Sequence, residues 1–314
     1  MSRSEFDVIR QYFTRPGTRK DVLLGVGDDA ALLQVPPNTQ LAVAVDTLIE
    51  GVHFPVQTSP ADIAWKALAV NLSDLAAMGA EPAWFTLSLT MPTVDENWLA
   101  NFSSGLFELA ERFNIELVGG DTTRGSLSIT IQVQGFVENA LTRHAAKPGQ
   151  LIMVSGTLGD AALALQHLNA DQQVGDYLSQ RLNRPEPRIA LGQALAEVAT
   201  AAIDISDGLL ADLGHVLKAS DCGATLEIEK LPCSKIFKSA SVADPWSLLL
   251  KGGDDYELCF TVDENSHDEV QSIANQCGVT LTEIGRIQSE SALRCVKADG
   301  SEFITGTVGY DHFR

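Results

Sequence analysis

The chain of 314 residues is long enough for two domains, because single hydrophobic cores stop growing near ~250–300 residues. Its 41 acidic side chains outnumber its 22 lysines and arginines, so the formal net charge is −19. Such a balance argues against a protein that binds nucleic acid or an anionic membrane, since both need a basic surface. If the substrate is also anionic, it needs a counter-charge, and divalent cations are an economical source of it.

The cysteines and the hydropathy pattern indicate a protein of the cytosol. Five cysteines occur, the first of them Cys222, and none forms a Cys-x-x-Cys pair, so neither a zinc site nor a redox couple is predicted. An odd number of cysteines in a chain of this size is typical of reduced thiols. No apolar run approaches the ~20 residues of a membrane span, and the polar first residues do not resemble a signal peptide. We therefore expect a cytoplasmic location and no membrane partner.

In the first half, short apolar runs alternate with amphipathic stretches. The segment 59–78 begins with a hydroxyl residue and a proline, which is typical of a helix start, and it ends before Gly79. In 127–137 the first apolar side chains alternate with polar ones, as expected for a half-buried strand. We predict strands at 21–24, 41–45, 115–118 and 127–137, and helices at 59–78 and 95–113.

The second half shows the same mixture after a junction at 139–150. Because strands and helices mix in both halves, we predict an α+β fold of two domains, residues 1–138 and 139–314, built from mixed sheets with helices. The predicted strands of the second half are at 151–154, 224–228, 257–262 and 279–287, and the predicted helices at 160–168, 188–199 and 267–276. A strand-to-helix turn at 203–208 leads into a further predicted helix that carries Leu209, Leu213, Val216 and Leu217.

Aspartates recur where the predicted strands end and in glycine turns. A single turn aspartate more often caps a helix or closes a turn than binds a ligand. Asp46 and Asp121, however, each follow an apolar strand and lead into no obvious helix. If several of these carboxylates converge, cations must offset their repulsion, and Mg²⁺ both prefers oxygen ligands and bridges carboxylates to phosphates. The aspartates concerned are Asp28, Asp29, Asp46, Asp74, Asp121, Asp204 and Asp207.

Two common nucleotide-binding motifs do not fit this chain. The spacing of Gly25, Gly27 and Ala30 imitates a dinucleotide fingerprint, but the two residues before Ala30 are aspartates, which would repel phosphates. The Pro-Pro pair at 36–37 also leaves no room for the helix that such a motif requires. No Gly-Lys-Ser/Thr sequence is present, so a P-loop is excluded.

A series of short motifs, taken in order, resembles that of the thiamine-monophosphate kinases. This family belongs to a superfamily with aminoimidazole ribonucleotide synthetase and selenophosphate synthetase, whose members use ATP without a P-loop. The resemblance runs nearly end to end and implies a two-domain aminoimidazole ribonucleotide synthetase-like fold. It also implies that ATP phosphorylates thiamine monophosphate to thiamine diphosphate. The motifs are GDDAA at 27–31, DTL at 46–48, GVHF at 51–54, NLSDLAAMGA at 71–80, GGDT at 119–122, DISDG at 204–208, GGDDYEL at 252–258 and GYDHF at 309–313.

The resemblance implies roles for individual residues of these motifs and for Arg143. Catalysis would depend on Asp46, Asp121 and Arg143. Several Mg²⁺ ions would be bound by Asp29, Asp46, Asp74, Asp121, Asp204 and Asp207, with Asp28 adjoining. ATP would contact Gly120, Asp121, Arg143 and Ser206. Thiamine monophosphate would contact His53, Asp254 and Tyr310.

Two departures from the family pattern affect these assignments. The family often has hydroxyl residues just before the aspartate of the Asp-Thr-Leu motif, where this chain has Ala44 and Val45. Any metal contact at Val45 would therefore come from a backbone carbonyl. The family also often has glutamate at position 254, so Asp254 would reach the substrate with a shorter side chain or through water.

The expected reaction is direct in-line transfer without a phospho-enzyme, and the expected assembly is a homodimer through residues 1–138. The strand at 127–137 could contribute to that interface or face its own helices. Two alternatives remain at this point. One is another ATP-using enzyme of the same superfamily; selenophosphate synthetases carry an N-terminal reactive cysteine or selenocysteine, which is absent before Cys222. The other is a non-catalytic binder of divalent cations or nucleotides.

Overall fold

The computed structural model describes residues 4–304. By its internal contacts the chain divides into two compact units. Unit 1 runs to Leu75 and continues with Ala80–Glu138, whereas unit 2 contains Ala76–Gly79 and the chain from Asn139 onward. Each unit combines sheet and helix, so the predicted α+β class with mixed sheets is confirmed. Tyr310, a predicted substrate contact, lies outside the described residues.

Strands and helices are mixed along unit 1. Its elements are α1 (Glu5–Val8), which continues into a π-helical turn (Ile9–Phe13), β1 (Val22–Leu24), β2 (Leu32–Leu33), β3 (Gln40–Ile49), α2 (Pro60–Ala77), β4 (Glu81–Met91), α3 (Glu96–Arg112), β5 (Glu116–Arg124) and β6 (Ser128–Val137). Four strands form a sheet in the order β3-β6-β4-β5, so β3 and β5 are its edges, and β1 pairs with β2 in a separate ribbon. β4 and β5 are parallel, and the other neighbouring pairs are antiparallel.

Different elements cover the two faces of the four-stranded sheet. Ala42 pairs with Gly135, where an added Cβ would lie 3.2 Å from the side chain of Leu75 in α2. We call this side the helix face. The other side carries Trp84 and Phe136, whose rings meet edge to face at 5.0 Å, and the β1–β2 ribbon packs against them. We call it the ribbon face.

Both edge strands extend further than the sequence predicts. β3 continues through Asp46, which pairs with Ile131 of β6. β5 continues through Asp121, which pairs with Ser88 of β4. The prediction that the strands end at these aspartates is wrong, because the pairing with a neighbouring strand keeps the backbone extended beyond the apolar run.

The central strand β4 has no counterpart among the predicted elements. Its first half is buried on both sides, with Ala83, Trp84 and Phe85 at most 1% exposed. A strand that is buried on both faces lacks the alternation by which a sequence reveals a half-buried strand. The alternation predicted for β6 is confirmed, since Ile129, Ile131 and Val133 are fully buried.

Unit 2 is built on a seven-stranded sheet. Its elements are β7 (Leu151–Ser155), α4 (Asp160–Asn169), α5 (Asp176–Asn183), α6 (Ile189–Leu195), β8 (Ala201–Asp204), α7 (Leu209–Ala219), β9 (Gly223–Glu227), α8 (Lys235–Ser239), α9 (Pro245–Lys251), β10 (Leu258–Val262), α10 (His267–Gln276), β11 (Leu281–Gln288), β12 (Leu293–Val296) and β13 (Glu302–Phe303). The strand order is β13-β12-β9-β11-β7-β10-β8, and only β12 with β9 is parallel. The helix α10 has the predicted bounds, α6 is shorter than predicted, and α5, α8, α9, β12 and β13 have no predicted counterpart.

The cysteines all lie in unit 2 as free thiols. Cys222, Cys259 and Cys295 are buried in its core, whereas Cys233 and Cys277 are partly exposed. Burial raises the pKa of the Cys259 thiol to about 12. In the part of the chain that the structure describes, no helix is both long and apolar enough to cross a membrane.

Candidate active-site residues in the two units

In unit 1, the first acidic motif lies in the connection between β1 and β2. Asp28 and Asp29 are both exposed there, and Asp28 Oδ1 accepts a hydrogen bond from the Asp29 backbone N–H at 2.8 Å. β2 follows directly in place of a helix, which supports the rejection of a dinucleotide-binding turn. The connection therefore presents two carboxylates to solvent beside the ribbon.

Asp46 and Asp121 lie at opposite edges and on opposite faces of the four-stranded sheet. Asp46 pairs with Ile131, which pairs with Leu87, and these residues share the helix face. Asp121 pairs with Ser88, on the ribbon face. The two carboxylates are separated by β6 and β4, which corresponds to three interstrand spacings, or about 14 Å. Within one copy of unit 1 they therefore cannot bind the same ion.

Glycine is required next to Asp121. Gly120 pairs with Leu87 and has φ of +154°, and an added Cβ would meet the Leu87 carbonyl oxygen. The backbone of β5 thus approaches β4 so closely that no side chain fits at this position.

Asp74, the other predicted metal ligand of unit 1, lies half-buried on α2, the helix that covers the face carrying Asp46. Val45, whose carbonyl is a predicted donor, is 56% exposed on the edge strand.

The predicted substrate residue His53 is fixed by backbone contacts. Its Nδ1 accepts a hydrogen bond from the Ile49 N–H at 3.0 Å, which places the proton of the neutral ring on Nε2. The His53 carbonyl accepts a hydrogen bond from Lys66 Nζ at 3.2 Å, and Lys66 is only 2% exposed. The imidazole is therefore oriented by the backbone of β3, while a buried lysine of α2 holds the His53 backbone.

In unit 2, one carboxylate organises the predicted ATP and metal turn. Asp204 ends β8, and Ser206 and Asp207 follow in the turn that starts α7. Asp212 Oδ2 accepts hydrogen bonds from the N–H groups of Ser206, Asp207 and Gly208 at 3.0, 3.0 and 3.1 Å. The sequence analysis misses Asp212. The signal for it is an acidic residue in the first turn of a helix that follows a glycine turn.

Several acidic side chains lie close together at this turn. Burial, followed by the charges of Asp204 and Asp207, raises the pKa of Asp212 to about 7. Carboxylates that repel one another in this way are stabilised by a cation, and Mg²⁺ prefers oxygen ligands. Across residues 4–304, no group of three or more His, Cys, Asp or Glu side chains is arranged to hold a metal ion. The predicted metal ligands thus stay a prediction, although their chemistry fits Mg²⁺.

The structure brings the predicted substrate residue Asp254 next to this turn. The Asp254 N–H donates to the Ser206 carbonyl at 2.9 Å, and the Tyr256 N–H donates to the Ile205 carbonyl at 2.8 Å. A Cβ on Gly253 would lie 2.5 Å from the Ser206 carbonyl oxygen, so only glycine allows this approach. Two motifs that lie 48 positions apart in the sequence therefore form one backbone-paired surface.

Arg143 lies apart from that surface within unit 2. It is exposed, and its carbonyl accepts a hydrogen bond from Ser220 Oγ at 2.8 Å. Ser220 caps the C-terminal end of α7, whereas Ser206 precedes the N-terminal end of the same helix. An eleven-residue helix is about 16 Å long, so the backbone of Arg143 lies near the opposite end of α7 from Ser206.

Beneath the paired loops lies a buried network of charges that the sequence analysis also misses. Asp160, Asp255 and Glu257 are at most 2% exposed. Glu257 accepts hydrogen bonds from Arg188 Nε and Nη2 at 2.6 and 2.5 Å, and Arg181 Nη1 lies 3.3 Å from it. Two guanidinium groups face three carboxyl groups, and burial is the main cause that raises the pKa of Asp255 well above its ordinary value.

Two family descriptions match the chain over most of its length. Residues 27–137 match "AIR synthase related protein, N-terminal domain", and residues 147–297 match "AIR synthase related protein, C-terminal domain". Together these matches cover the four-stranded sheet of unit 1 and every strand of the unit 2 sheet except β13.

Individual relatives are similar over nearly the whole chain. The thiamine-monophosphate kinase of Escherichia coli (strain K12) is 49% identical over 100% of this chain and 99% of its own. The crystal structure of thiamine-monophosphate kinase from Stenotrophomonas maltophilia K279a is 47% identical, with a TM-score of 0.85 over 91% of this chain and 93% of that one. The structure of AaThiL complexed with AMPPCP and TMP is 32% identical, with a TM-score of 0.79 over 92% of each chain.

Proposed function

This chain belongs to the thiamine-monophosphate kinases among the AIR synthase related proteins, and from that premise we propose that it transfers the γ-phosphoryl group of ATP to thiamine monophosphate in a single in-line displacement. The observation that carries the proposal is the 49% identity to a kinase of this name over the whole chain. The complex of AaThiL with AMPPCP and TMP supports the two substrates, since AMPPCP is an ATP analogue whose β,γ-bridge resists transfer.

In the proposed reaction, a phosphate oxygen of thiamine monophosphate attacks the γ-phosphorus of ATP. The new bond joins these two atoms, and the bond from the γ-phosphorus to the β,γ-bridging oxygen breaks, so that ADP leaves with the electron pair. A phosphate monoester has a second pKa near ~6, so the attacking oxygen is already ionised at neutral pH. The protein therefore needs no strong general base, and its residues contribute positioning and charge neutralisation.

We propose Mg²⁺ as the cation, with carboxylate ligands in each unit. Asp29, Asp46, Asp74 and Asp121 are the ligands in unit 1, with the Val45 carbonyl as a further donor. Asp204 and Asp207 are the ligands in unit 2, where burial and the charges of these two carboxylates raise the pKa of Asp212 to about 7. When bound, the ions would neutralise phosphate charge and orient the oxygens of an in-line displacement.

The remaining predicted contacts complete the proposal. Gly120, Asp121, Arg143 and Ser206 contact ATP, and His53, Asp254 and Tyr310 contact thiamine monophosphate. The pairing of Asp254 N–H with the Ser206 carbonyl at 2.9 Å supports neighbouring positions for the two substrates in unit 2. The Nε2–H of His53 is suited to donate to a phosphate oxygen.

We also propose a homodimer in which the edge strands of unit 1 complete the site. β3 exposes Leu41, Val43 and Val45 by 43, 54 and 56%, although edge strands normally avoid such apolar surface. Because Asp46 and Asp121 cannot share an ion within one copy, a second copy that docks at this edge offers one way to bring them together. Residues 1–138 thus form the proposed metal, ATP and dimerisation domain, and residues 139–314 the second domain. The free thiols support a cytoplasmic location.

A single assay tests the function. The protein is incubated with ATP, Mg²⁺ and thiamine monophosphate, with an EDTA control, and both thiamine diphosphate and ADP are quantified. We expect equal amounts of the two products and no product in EDTA. ADP formed together with free phosphate, or activity only with another acceptor, would indicate a different enzyme of the superfamily. No nucleotide turnover at all would indicate a non-catalytic binder.

A further inference from the structure

The loop at 252–257 has an unusual backbone. Asp254 and Tyr256 both adopt the left-handed region, with φ of +67° and +49°. Residues other than glycine rarely adopt it, and they keep it only where the surrounding structure imposes the conformation. Two such residues within three positions indicate that contacts around the loop impose this backbone conformation.

Buried carboxyl groups hold the alternate positions of this loop. Asp255 accepts hydrogen bonds from the Gly159 N–H at 3.0 and 3.1 Å, and it is 2% exposed. Glu257 is 1% exposed and accepts from Ser155 Oγ at 2.6 Å as well as from Arg188. These anchors point into the core of unit 2, so the intervening side chains of Asp254 and Tyr256 are left half-buried.

The two half-buried side chains bind each other. The Tyr256 hydroxyl donates a hydrogen bond to Asp254 Oδ1 at 3.0 Å. A hydrogen bond to an ionised acceptor is stronger than one between neutral groups, and it limits the orientations that the carboxylate can adopt. The loop thus presents a carboxylate whose direction is set by an adjacent phenol.

We propose that Tyr256 is the positioning residue of the thiamine subsite. It holds the Asp254 carboxylate toward the cationic, amine-bearing thiamine moiety, and its ring supplies an aromatic surface beside that moiety. A carboxylate suits a thiazolium charge or an aminopyrimidine N–H, and an aromatic face attracts a cation. This inference rests on the proposed function, because it assigns Tyr256 to recognition of the acceptor and not of ATP.

The first test removes only the hydroxyl group. Tyr256→Phe keeps the ring, and we expect KM for thiamine monophosphate to rise about tenfold while kcat and KM for ATP stay within about twofold. Tyr177→Phe is the matched control, because the Tyr177 hydroxyl donates to Asp160 at the same distance of 3.0 Å in the same unit. It should leave both KM values within about twofold. Thermal unfolding of each variant checks that the fold is retained.

The second test asks whether Tyr256 acts through Asp254. Asp254→Gly removes the carboxylate at a position where glycine is not strained. In that background, adding Tyr256→Phe should change KM for thiamine monophosphate by less than about twofold, since the group that the hydroxyl positions is absent. Calorimetric binding of thiamine monophosphate should follow the same pattern.

The outcomes separate this inference from the kinase proposal. If the wild-type protein forms thiamine diphosphate but Tyr256→Phe leaves KM for thiamine monophosphate unchanged, or raises KM for ATP instead, the positioning role is wrong and the kinase proposal stands. Equal effects of Tyr256→Phe with and without the Asp254 carboxylate would also overturn it. A wild-type protein that neither binds nor phosphorylates thiamine monophosphate would overturn both.

Discussion

At the residue scale, Asp46 and Asp121 test the metal proposal most directly, because neither side chain is buried. Asp46→Asn and Asp121→Asn keep size and shape but remove the charge that would neutralise a cation. Substitutions at such positions change the free energy of unfolding by about 0.5 kcal/mol or less, so both variants should fold. We expect kcat/KM to fall by about 100-fold or more in steady-state assays, as when a charge-stabilising group is removed.

Asp171→Asn is the control for these variants. Asp171 is exposed and has φ of +53°, a conformation that asparagine tolerates as well as aspartate. Its activity should equal that of the wild type. Near-normal turnover of either Asp46→Asn or Asp121→Asn would argue against their role as metal ligands.

The buried network of unit 2 predicts a pH dependence of stability. Burial raises the pKa of Asp255, so the folded state keeps its proton at pH values where the unfolded chain, with a pKa near 3.8, has lost it. The wild type is therefore penalised as pH rises above about 4, by up to ~1.4 kcal/mol per pH unit until the folded pKa is reached. Asp255→Asn does not titrate, so its stability relative to the wild type should increase with pH over this range.

Urea unfolding of the wild type and Asp255→Asn between pH 4 and pH 8 measures this difference. At pH 4 the two proteins should unfold at similar urea concentrations, and the variant should gain with each pH step. A difference that stays constant with pH would mean that Asp255 has the same protonation in both states. If the wild type instead became more stable than the variant as pH rises, the Asp255 carboxyl group would be ionised in the folded state.

At the scale of secondary-structure elements, two helix glycines should respond in opposite directions to alanine. At Gly105 in α3, an added Cβ would meet the backbone of Ala61 in α2. The two helices therefore pack in close contact at the position where Gly105 has no side chain. Gly105→Ala should destabilise unit 1 by about 1–3 kcal/mol, as overpacking does. At Gly214 in α7 nothing lies within 4 Å of the added atom. Gly214→Ala should therefore stabilise the protein by about 0.4–1 kcal/mol.

Thermal and urea unfolding of the two variants measure whether each substitution raises or lowers the free energy of unfolding. Activity assays check that both variants keep the native fold. Because the substitution is the same, helix propensity cancels between them and the difference reports the contact with Ala61. Equal effects at the two positions would show that α2 and α3 are free to move apart.

The sequence predicts elements well where apolar and polar residues alternate, and poorly where an element is buried on all sides or very short. β6 is recognised by its alternation of apolar and polar residues. The central strand β4 is not predicted because it is buried on both faces, and β13 is not predicted because it contains only two residues. β3 and β5 are cut short because their polar ends are held by pairing, which no local pattern records.

For the candidate site, the sequence predicts the residue types but not their arrangement. Ser206 and Asp254 are named from their motifs, yet only the backbone hydrogen bond shows that they adjoin. The supporting residues Asp212 and Glu257 are missed, because a buried carboxylate in an apolar stretch looks like an ordinary polar position until its donors are known. The strain at Tyr256 is equally invisible in a sequence.

At the scale of the whole molecule, the proposed homodimer predicts complementation between two inactive variants. If a site takes Asp46 from one copy and Asp121 from the other, a mixed dimer of Asp46→Asn with Asp121→Asn contains one site with both carboxylates intact. Random mixing by co-expression or by unfolding and refolding should then restore about a quarter of wild-type activity. If each site takes both residues from a single copy, the mixture should stay inactive.

The same dimer predicts that a charge on the edge strand dissociates it. Val43→Lys places an ammonium group in the exposed apolar row of β3, which a partner copy would bury. Sedimentation should show monomers for this variant and dimers for the wild type. Val94→Lys is the matched control, since Val94 is 47% exposed but lies outside the sheet. Dissociation by both substitutions, or by neither, would place the interface elsewhere.

The distribution of cysteines provides a reporter of local unfolding. All five thiols follow position 221 and lie in unit 2. Labelling with a maleimide therefore modifies only unit 2, and unit 1 gives no signal. Cys259 is 1% exposed and its pKa is raised to about 12, so it reacts only after β10 has separated from its neighbours. The labelling rate of this thiol in native buffer thus measures how often that sheet opens, and its change on adding nucleotide would reveal whether ligand binding suppresses the opening.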